Sequence, residues 1–180
     1  MPPHQKRPDT GARPRHLIVM GVSGTGKTTV ATELAERYGA QFIEGDSLHP
    51  PGNIAKMSAG TPLDDDDRRP WLELLAQLLA FHHDEGLSSV LTCSALKRSY
   101  RDLLRGSLPT ESVFFVHLAA PFPVLRARME AREHFMPASL LQSQFDTLEP
   151  LGSDERGAVL DVSQPVEDVL ARIIETIGGG

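Results

Sequence analysis

The segment from Gly21 to Thr28, "GVSGTGKT", constrains the fold more than any other part of the chain. It fits the spacing G-x-x-x-x-G-K-[ST], and it lies between the apolar run "HLIVM" and the helical pattern "GKTTVATELAERY". Glycines let the backbone curl so that successive N–H groups converge, and the N-terminus of the next helix adds partial positive charge there. The segment therefore predicts a strand, a phosphate-binding loop and a helix in that order, which is how many α/β folds begin.

The residue types in this loop are those that hold a nucleoside triphosphate. Lys27 can reach the β- and γ-phosphates, and the Thr28 hydroxyl is placed to ligate Mg²⁺. A dinucleotide loop of the G-x-G-x-x-G type does not fit, because the segment ends in Lys-Thr rather than in a packing glycine. We predict that ATP contacts the following residues: Gly21, Val22, Ser23, Gly24, Thr25, Gly26, Lys27, Thr28 and Thr29.

Strand and helix patterns alternate along the rest of the chain, which is typical of a parallel sheet covered by helices. We predict strands at 16–20, 40–44, 88–93, 112–118 and 158–162, and helices at 26–38, 69–86, 95–106, 121–132, 137–149 and 165–177. The strands are continuous apolar runs, as expected when both sheet faces are buried. The predicted fold is a three-layer α/β/α P-loop domain over residues 15–180, with a five-stranded parallel sheet, a helical lid at roughly 126–145 and a flexible tail at 1–14.

Composition narrows the possible partners. The net charge is −6, so the molecule as a whole repels nucleic acid. Its apolar runs are far shorter than the ~20 residues that a membrane span needs, and the basic, Pro-rich N-terminus does not fit a secretory signal. The single cysteine, Cys93, lies in an apolar run and is interpreted as a core residue. We expect no nucleic-acid partner, no membrane span and a cytoplasmic location.

Two carboxylates follow the second predicted strand, where ligands gather in open α/β sheets. Glu44 and Asp46 are two residues apart in "FIEGDSLHP". Asp46 is placed to orient an acceptor hydroxyl or take its proton, Glu44 to hold the Mg²⁺ shell through water, and nearby His49 to bind substrate. The alternative is that both are solvated loop acids in the irregular stretch from 44 to 67.

The run "DDDDRRPW" supplies further candidates. We interpret its four aspartates as the start of a helix with Pro70 in the first turn, rather than as a metal site. Cations are electrostatically misplaced there unless they pair with acids or bind an anion, so Arg68 or Arg69 is predicted to clamp a substrate carboxylate or phosphate. The full set of predicted substrate-binding residues is Asp46, His49, Lys56, Arg68, Arg69, Ser94, Lys97 and Arg132.

Arg128 and Arg132 lie four residues apart in "PVLRARMEAR" and would share one helical face. We predict that they close over the transferring phosphate, although an ordinary surface helix carries such pairs too. Arg101 and Arg105 are interpreted as surface residues. The string "DERG" at 154–157 is interpreted as a chance match to a GTPase pattern, because no N-K-x-D string accompanies it. The third predicted strand lacks the terminal Asp-Glu of ATP-driven motors, so a kinase with a small acceptor is favoured.

Four segments together resemble the bacterial-type gluconokinases of the thermoresistant gluconokinase family, relatives of shikimate kinase and the nucleoside monophosphate kinases. They are "MGVSGTGKTT", "GDSLHPPGNIAKMSAGTPLDDDDRRPWL", "CSALKRSYRDLLR" and "LLQSQFDTLEP". The resemblance implies transfer of phosphate from ATP, with Mg²⁺, to the 6-hydroxyl of D-gluconate by a homodimeric enzyme. It also implies that Asp46 contacts the acceptor hydroxyls, and that Arg132 with Arg68 or Arg69 holds the substrate carboxylate or the phosphoryl group. Relatives commonly carry Asp where this chain has Glu44.

The predicted catalytic residues are Lys27, Asp46, Arg128 and Arg132. Two other functions stay open at this stage. One is a kinase for another small acceptor, such as shikimate, a different sugar acid or adenylyl sulfate. The other is a non-catalytic ATP-binding module, which would have no need for a second set of polar groups facing the phosphates.

Overall fold

Five parallel strands form the central sheet of the protein. The structure, a computed structural model, describes residues 14–132 and 137–178. The strand bounds are β1 His16–Met20, β2 Gln41–Glu44, β3 Ser89–Thr92, β4 Val113–Ala119 and β5 Gly157–Asp161. Their spatial order is β2-β3-β1-β4-β5, so β1 lies in the centre of the sheet, with β3 on one side and β4 on the other.

Seven α-helices in the described residues cover both faces of this sheet. They are α1 Lys27–Tyr38, α2 Pro51–Ser58, α3 Asp65–Asp84, α4 Arg98–Arg105, α5 Phe122–Glu130, α6 Ala138–Thr147 and α7 Val166–Gly178. Alternate residues of β1 enter different cores: Ile18 packs in the cluster that contains α3 and α4, and Val19 in the cluster that contains α1 and α7. The predicted three-layer α/β/α fold with a five-stranded parallel sheet is therefore confirmed.

The start of α3 differs from the prediction. The helix begins at Asp65 rather than at Arg69, because Asp64 and Asp67 form a capping box. Asp64 Oδ1 accepts from the Asp67 N–H at 2.7 Å, and the Asp64 N–H donates to Asp67 Oδ2 at 3.0 Å. Pro70 consequently lies in the second turn, so its predicted place in the first turn was wrong. The aspartates favour the helix start, as predicted, but three of them form its first turn instead of preceding it.

The helix α2 was missed inside the stretch interpreted as irregular. Its one buried side chain is the polar Asn53, whereas Ile54 is 47% exposed, so no apolar face marks it in the sequence. Pro51 at its first position is the only conventional start signal.

The predicted tail and lid fall partly outside the described residues. Only Pro14 of the 1–14 tail is described, and residues 133–136 within the 126–145 lid are not. The described parts of the lid are the second half of α5 and most of α6, and the domain limits stay a prediction. No described helix has the length and apolar character needed to cross a membrane.

The interpretation of Arg101 as a surface residue was wrong. Its side chain is fully buried and its Nε lies 2.7 Å from Glu155 Oε2. The guanidinium also donates to the carbonyl oxygens of Ala95, Leu96 and Pro150. The "DERG" string is thus structural: its glutamate ties α4 to the loop that leads into β5.

Candidate active site

A cleft opens at the carboxyl edge of the sheet, beside the ends of β1, β2 and β3. This is where strand order reverses around β1, the usual ligand position in open α/β sheets. The cleft brings together six predicted residues from distant parts of the chain, namely Ser23, Lys27, Asp46, His49, Arg68 and Ser94. Residues that the sequence analysis did not assign to a site complete its lining: Met57, Thr61, Pro62, Leu63, Trp71, Leu96, Leu140, Ser143 and Gln144.

The phosphate loop has the backbone shape that its glycines predict. Gly21 has φ 138°, and a side chain there would place its Cβ 2.4 Å from the Leu118 carbonyl oxygen. Lys27 Nζ donates to the carbonyl oxygens of Gly21 and Val22 at 3.0 and 3.1 Å. Burial lowers the pKa of Lys27, and the carboxylate of Asp46 opposes that shift. The loop therefore presents a desolvated ammonium group that a phosphate would strongly favour in its charged form.

Glu44 connects the phosphate loop to the sheet edge. Its two carboxylate oxygens accept from Thr28 Oγ1 at 2.7 Å and from Thr92 Oγ1 at 2.5 Å. Glu44 and Thr92 are register partners in β2 and β3. The sequence analysis missed Thr92, because a threonine within a buried strand looks like any other β-branched core residue. The donor set of one hydroxyl and one carboxylate suits a hard cation such as Mg²⁺.

Asp46 and His49 line the cleft from the turn that follows β2. The Asp46 side chain is 66% exposed, and its Oδ1 lies 4.0 Å from His49 Nε2. The His49 ring stacks on Trp71 with 3.9 Å between centroids, and Trp71 Nε1 donates to the Gly45 carbonyl at 2.8 Å. Burial lowers the pKa of His49, which favours the neutral ring.

Gly45 allows the turn that carries Asp46 to pack closely against the end of β3. A Cβ on Gly45 would lie 1.9 Å from the Thr92 carbonyl oxygen, so only glycine fits. The Gly45 N–H also donates to Thr92 Oγ1 at 3.1 Å. These contacts hold the 3-10 turn Gly45–Leu48, and with it Asp46, directly against the end of β3.

The structure distinguishes the two neighbouring arginines. Arg68 lines the cleft, donates from Nη1 to the Tyr100 hydroxyl at 3.1 Å and lies 5.4 Å from that ring. Arg69 is largely exposed and lies 3.9 Å from Glu73 on the next turn of α3. Consecutive helix residues point in different directions, and of the two arginines only Arg68 lines the cleft.

Two predicted lysines are held at the first turn of α3 instead. Lys56 Nζ lies 2.8 Å from Asp67 Oδ2, and Lys97 Nζ lies 3.1 Å from Asp65 Oδ1. These hydrogen bonds raise the pKa of both lysines. Neither side chain is among the described residues that line the cleft, so substrate binding by Lys56 or Lys97 stays a prediction.

The lid arginines do not reach the cleft within the described residues. Arg128 Nη2 donates to the Val162 carbonyl at 2.5 Å, beyond the end of β5. Arg132 follows α5 and is exposed. A different lid residue makes the contact with the phosphate loop: Gln144 Oε1 on α6 accepts from the Ser23 N–H at 2.7 Å. The catalytic role of Arg128 and Arg132 stays a prediction.

The end of β3 carries local backbone strain. Ala95 has φ 48°, the one positive φ outside glycine among the described residues. The preceding Ser94 lines the cleft, and its carbonyl accepts from the Gly21 N–H at 3.2 Å. Cys93 is 1% exposed and packs in the core, which confirms the predicted core position, and burial raises the pKa of its thiol to about 12.

The cleft combines two features. A phosphate loop lies between a strand and a helix, and a second set of charged and polar side chains lines the same cleft. Together they define a P-loop kinase for a small acceptor.

A protein-family profile described as an AAA domain matches residues 17–151. A gluconokinase from Gluconobacter oxydans is 59% identical over 81% of each chain. The thermoresistant gluconokinase of Escherichia coli is 46% identical over 91% of this chain and 93% of its own.

A solved structure agrees with these relatives. The crystal structure of a gluconokinase from Sinorhizobium meliloti superimposes with a TM-score of 0.82 at 48% identity, covering 93% of this chain and 92% of its own. The chain belongs to the gluconokinase family, as its sequence segments indicated, and is an ATP-dependent carbohydrate kinase.

Proposed function

We propose that this protein transfers the γ-phosphate of ATP to the 6-hydroxyl of D-gluconate, giving 6-phospho-D-gluconate and ADP. The observation that carries the proposal is that Lys27, Asp46, His49 and Arg68 line one cleft beside the phosphate loop. The cleft thus contains an anion-binding loop for the phosphates of ATP. It also contains the Asp46 carboxylate, which can bind a substrate hydroxyl group, and the Arg68 guanidinium, which can bind a substrate acid group. D-Gluconate has both groups, and the relatives at 59% and 46% identity are named gluconokinases.

Asp46 is proposed to bind the 6-hydroxyl and to receive its proton as the O6–Pγ bond forms. The bond between Pγ and the bridging oxygen of ADP breaks in the same displacement, and ADP leaves with that electron pair. Lys27 and the loop N–H groups stabilise the negative charge on the phosphoryl oxygens. Such a reaction depends mainly on positioning and charge, which suits a site in which side chains from three strand ends meet.

Arg68 is proposed to bind the carboxylate of gluconate. Its guanidinium is anchored at Nη1 by Tyr100, and Arg forms planar, paired hydrogen bonds with carboxylates. Tyr100 itself donates to the Asp65 carboxylate. The acid end of the substrate would therefore lie near α3 and α4, with the 6-hydroxyl directed at Asp46.

Mg²⁺ is proposed to bind at Thr28, with Glu44 holding its water shell. When bound, the ion neutralises charge on the β- and γ-phosphates. Both Glu44 oxygens already accept hydroxyl hydrogens, which fits a role through water rather than direct ligation. Glu44→Gln should raise the Mg²⁺ concentration that gives half-maximal rate, and an unchanged requirement would exclude Glu44 from the metal shell.

The proposal has three further parts. Arg128 and Arg132 close the lid over the transferring phosphate, the protein forms a homodimer, and it is located in the cytoplasm. Family resemblance supports the dimer, and Leu74 and Phe81 offer exposed apolar side chains on one side of α3. The cytoplasmic location is supported by the need of the proposed reaction for ATP. Light scattering tests the dimer, because a particle of one 19.7 kDa chain would contradict it.

A coupled assay of ADP release tests the proposed reaction. The purified protein should release ADP with gluconate, and not at comparable rates with shikimate, other sugar acids, adenylyl sulfate or nucleoside monophosphates. Asp46→Asn keeps the shape and removes the charge, so it should lower kcat by orders of magnitude while ATP still binds. Faster turnover with another acceptor would overturn the choice of gluconate, and wild-type turnover by Asp46→Asn would exclude Asp46 as the base.

A further inference from the structure

The His49 ring is held on its face and on one edge by residues that the sequence analysis did not assign to the site. Its face stacks on Trp71 at 3.9 Å with 20° between the ring planes. Its Nδ1 lies 3.2 Å from the Asn53 side-chain nitrogen Nδ2. Asn53 is 5% exposed and is the buried residue of α2. The Nε2 edge faces Asp46 of the same turn, with Nε2 4.0 Å from Asp46 Oδ1.

The contacts of Asn53 determine which nitrogen of His49 carries the proton. Asn53 Nδ2 lies 2.9 Å from the Asp67 carbonyl oxygen, which can only accept, so the NH₂ group of Asn53 must face that side. The same NH₂ group therefore also points its second hydrogen at His49 Nδ1, 3.2 Å away. A nitrogen that accepts has no proton of its own, and the neutral ring must carry its hydrogen on Nε2.

We propose that Asn53 is a positioning residue that holds His49 as the Nε2–H tautomer, so that His49 donates a hydrogen bond to a substrate hydroxyl beside Asp46. The identity of that hydroxyl, on the polyol chain of gluconate, rests on the function proposed above. The tautomer itself does not, because it follows from contacts within the protein.

The spacing of His49 and Asp46 fits a hydroxyl group between them. The 4.0 Å from Nε2 to Asp46 Oδ1 is too long for a direct hydrogen bond. A hydroxyl can accept from Nε2–H and donate to the carboxylate at the same time. A carboxylate cannot, since it has no hydrogen for Asp46 and would be repelled by it. The pair would therefore select the polyol end of a sugar acid and leave the acid end to Arg68.

The environment of His49 favours the neutral ring, which the proposed donation from Nε2–H requires. Burial lowers the pKa of His49, Arg68 lowers it further, and only Asp46 acts in the opposite direction. Asn53 and Trp71 also contact the ring, and neither carries a charge. A neutral ring has a single donor, so the choice of tautomer decides what His49 can bind.

The tautomer can be measured without any substrate. In protein labelled with ¹⁵N at histidine, long-range ¹H–¹⁵N correlation spectra distinguish protonated from unprotonated ring nitrogens, and His49→Gln assigns the His49 signals among the seven histidines. The wild-type protein should show a proton on Nε2 and none on Nδ1. Asn53→Asp replaces the donor by an acceptor and should move the proton to Nδ1. A wild-type ring protonated on Nδ1 would overturn the proposal.

Kinetics with amide substitutions test the donor role. The Gln amide nitrogen can occupy the place of Nε2, whereas that of Asn can only occupy the place of Nδ1. His49→Gln should therefore keep KM for gluconate near the wild-type value, and His49→Asn and Asn53→Leu should raise it about tenfold with little change in KM for ATP. Ile54→Ala, an exposed neighbour on α2, is the matched control and should leave both constants unchanged.

The two readouts separate this proposal from the proposed function. Equal impairment of His49→Gln and His49→Asn would overturn the donor role even if the wild-type tautomer is as expected. An Nε2–H tautomer in a protein that does not phosphorylate gluconate would support the assignment of Asn53 and contradict the proposed function instead. If Asn53 variants fail to fold, the wild-type spectrum and the two His49 variants still decide the outcome.

Discussion

At the scale of single residues, the direction of each side chain decides which charged group can act on a ligand. Arg68 and Arg69 are adjacent, identical in chemistry and both near the start of α3. One lies over Tyr100 and lines the cleft, and the other extends towards Glu73 and water. Only the first lines the cleft in which the acid end of gluconate is proposed to bind.

We expect Arg68→Gln to raise KM for gluconate by about tenfold or more, because it removes a charge-assisted hydrogen-bond donor from the substrate carboxylate. Arg69→Gln is the matched control, with the same chemical change one residue away, and should leave KM within twofold. Steady-state kinetics with gluconate varied at saturating ATP measures both. If the two variants behave alike, the assignment of Arg68 to the carboxylate is wrong.

Some residues of the candidate site could be predicted from the sequence, and others could not. Lys27, Asp46 and His49 could be found because a fixed spacing or a strand end marks them. Thr92, Trp71 and Asn53 could not, because each lies in an ordinary strand or helix pattern and acts by supporting another side chain. The choice between Arg68 and Arg69 required the true start of α3, and the capping box at Asp64 sets that start.

At the scale of secondary-structure elements, the first turn of α3 organises one wall of the cleft. Asp65 pairs with Lys97 before α4, and Asp67 pairs with Lys56 on α2. The aspartate run therefore serves helix capping and helix contacts together. The sequence analysis predicted a helix after the aspartate run, beginning at Arg69 rather than Asp65. It missed α2, because a helix that turns a polar residue inward has no apolar periodicity.

We predict that Asp64→Ala destabilises the protein by about 1 kcal/mol, because it removes the side-chain acceptor for the Asp67 N–H. Asp66→Ala is the control within the same run, since its side chain makes no hydrogen bond or ion pair in the described ranges, and it should stay within about 0.5 kcal/mol. Chemical denaturation of both variants gives the comparison. Equal losses would mean that general charge, and not the cap, stabilises this helix start.

At the scale of the whole molecule, one buried ion pair joins the acceptor side of the cleft to the far half of the sheet. Arg101 on α4 contacts Glu155, and Glu155 Oε1 also accepts from the Gly152 N–H at 3.0 Å. Arg101 further binds the carbonyls of Ala95 and Pro150. The pair therefore links the strained end of β3 to the loop before β5.

The free energy of unfolding at acidic pH should depend on the ion pair between Arg101 and Glu155. Burial by itself raises the pKa of Glu155, but the hydrogen bonds from Arg101 and Gly152 bring it below the usual value. A carboxyl whose pKa is lowered in the folded state contributes stability that is complete above its unfolded value of about 4.3. That contribution is lost as the pH falls through the lower folded pKa, so this pair should stabilise the protein less and less below about pH 4.

Glu155→Gln should therefore lower the free energy of unfolding near pH 7 by about 3–5 kcal/mol, since it leaves the buried Arg101 charge without its partner. The neighbouring Asp154→Asn breaks an exposed pair with Arg98 and should change stability little. Thermal unfolding from pH 7 to pH 3 should show the gap between wild type and Glu155→Gln narrowing as Glu155 becomes protonated. Equal stability of wild type and Glu155→Gln at pH 7 would mean that the carboxylate charge is not what stabilises the link, and that its shape and hydrogen bonds suffice.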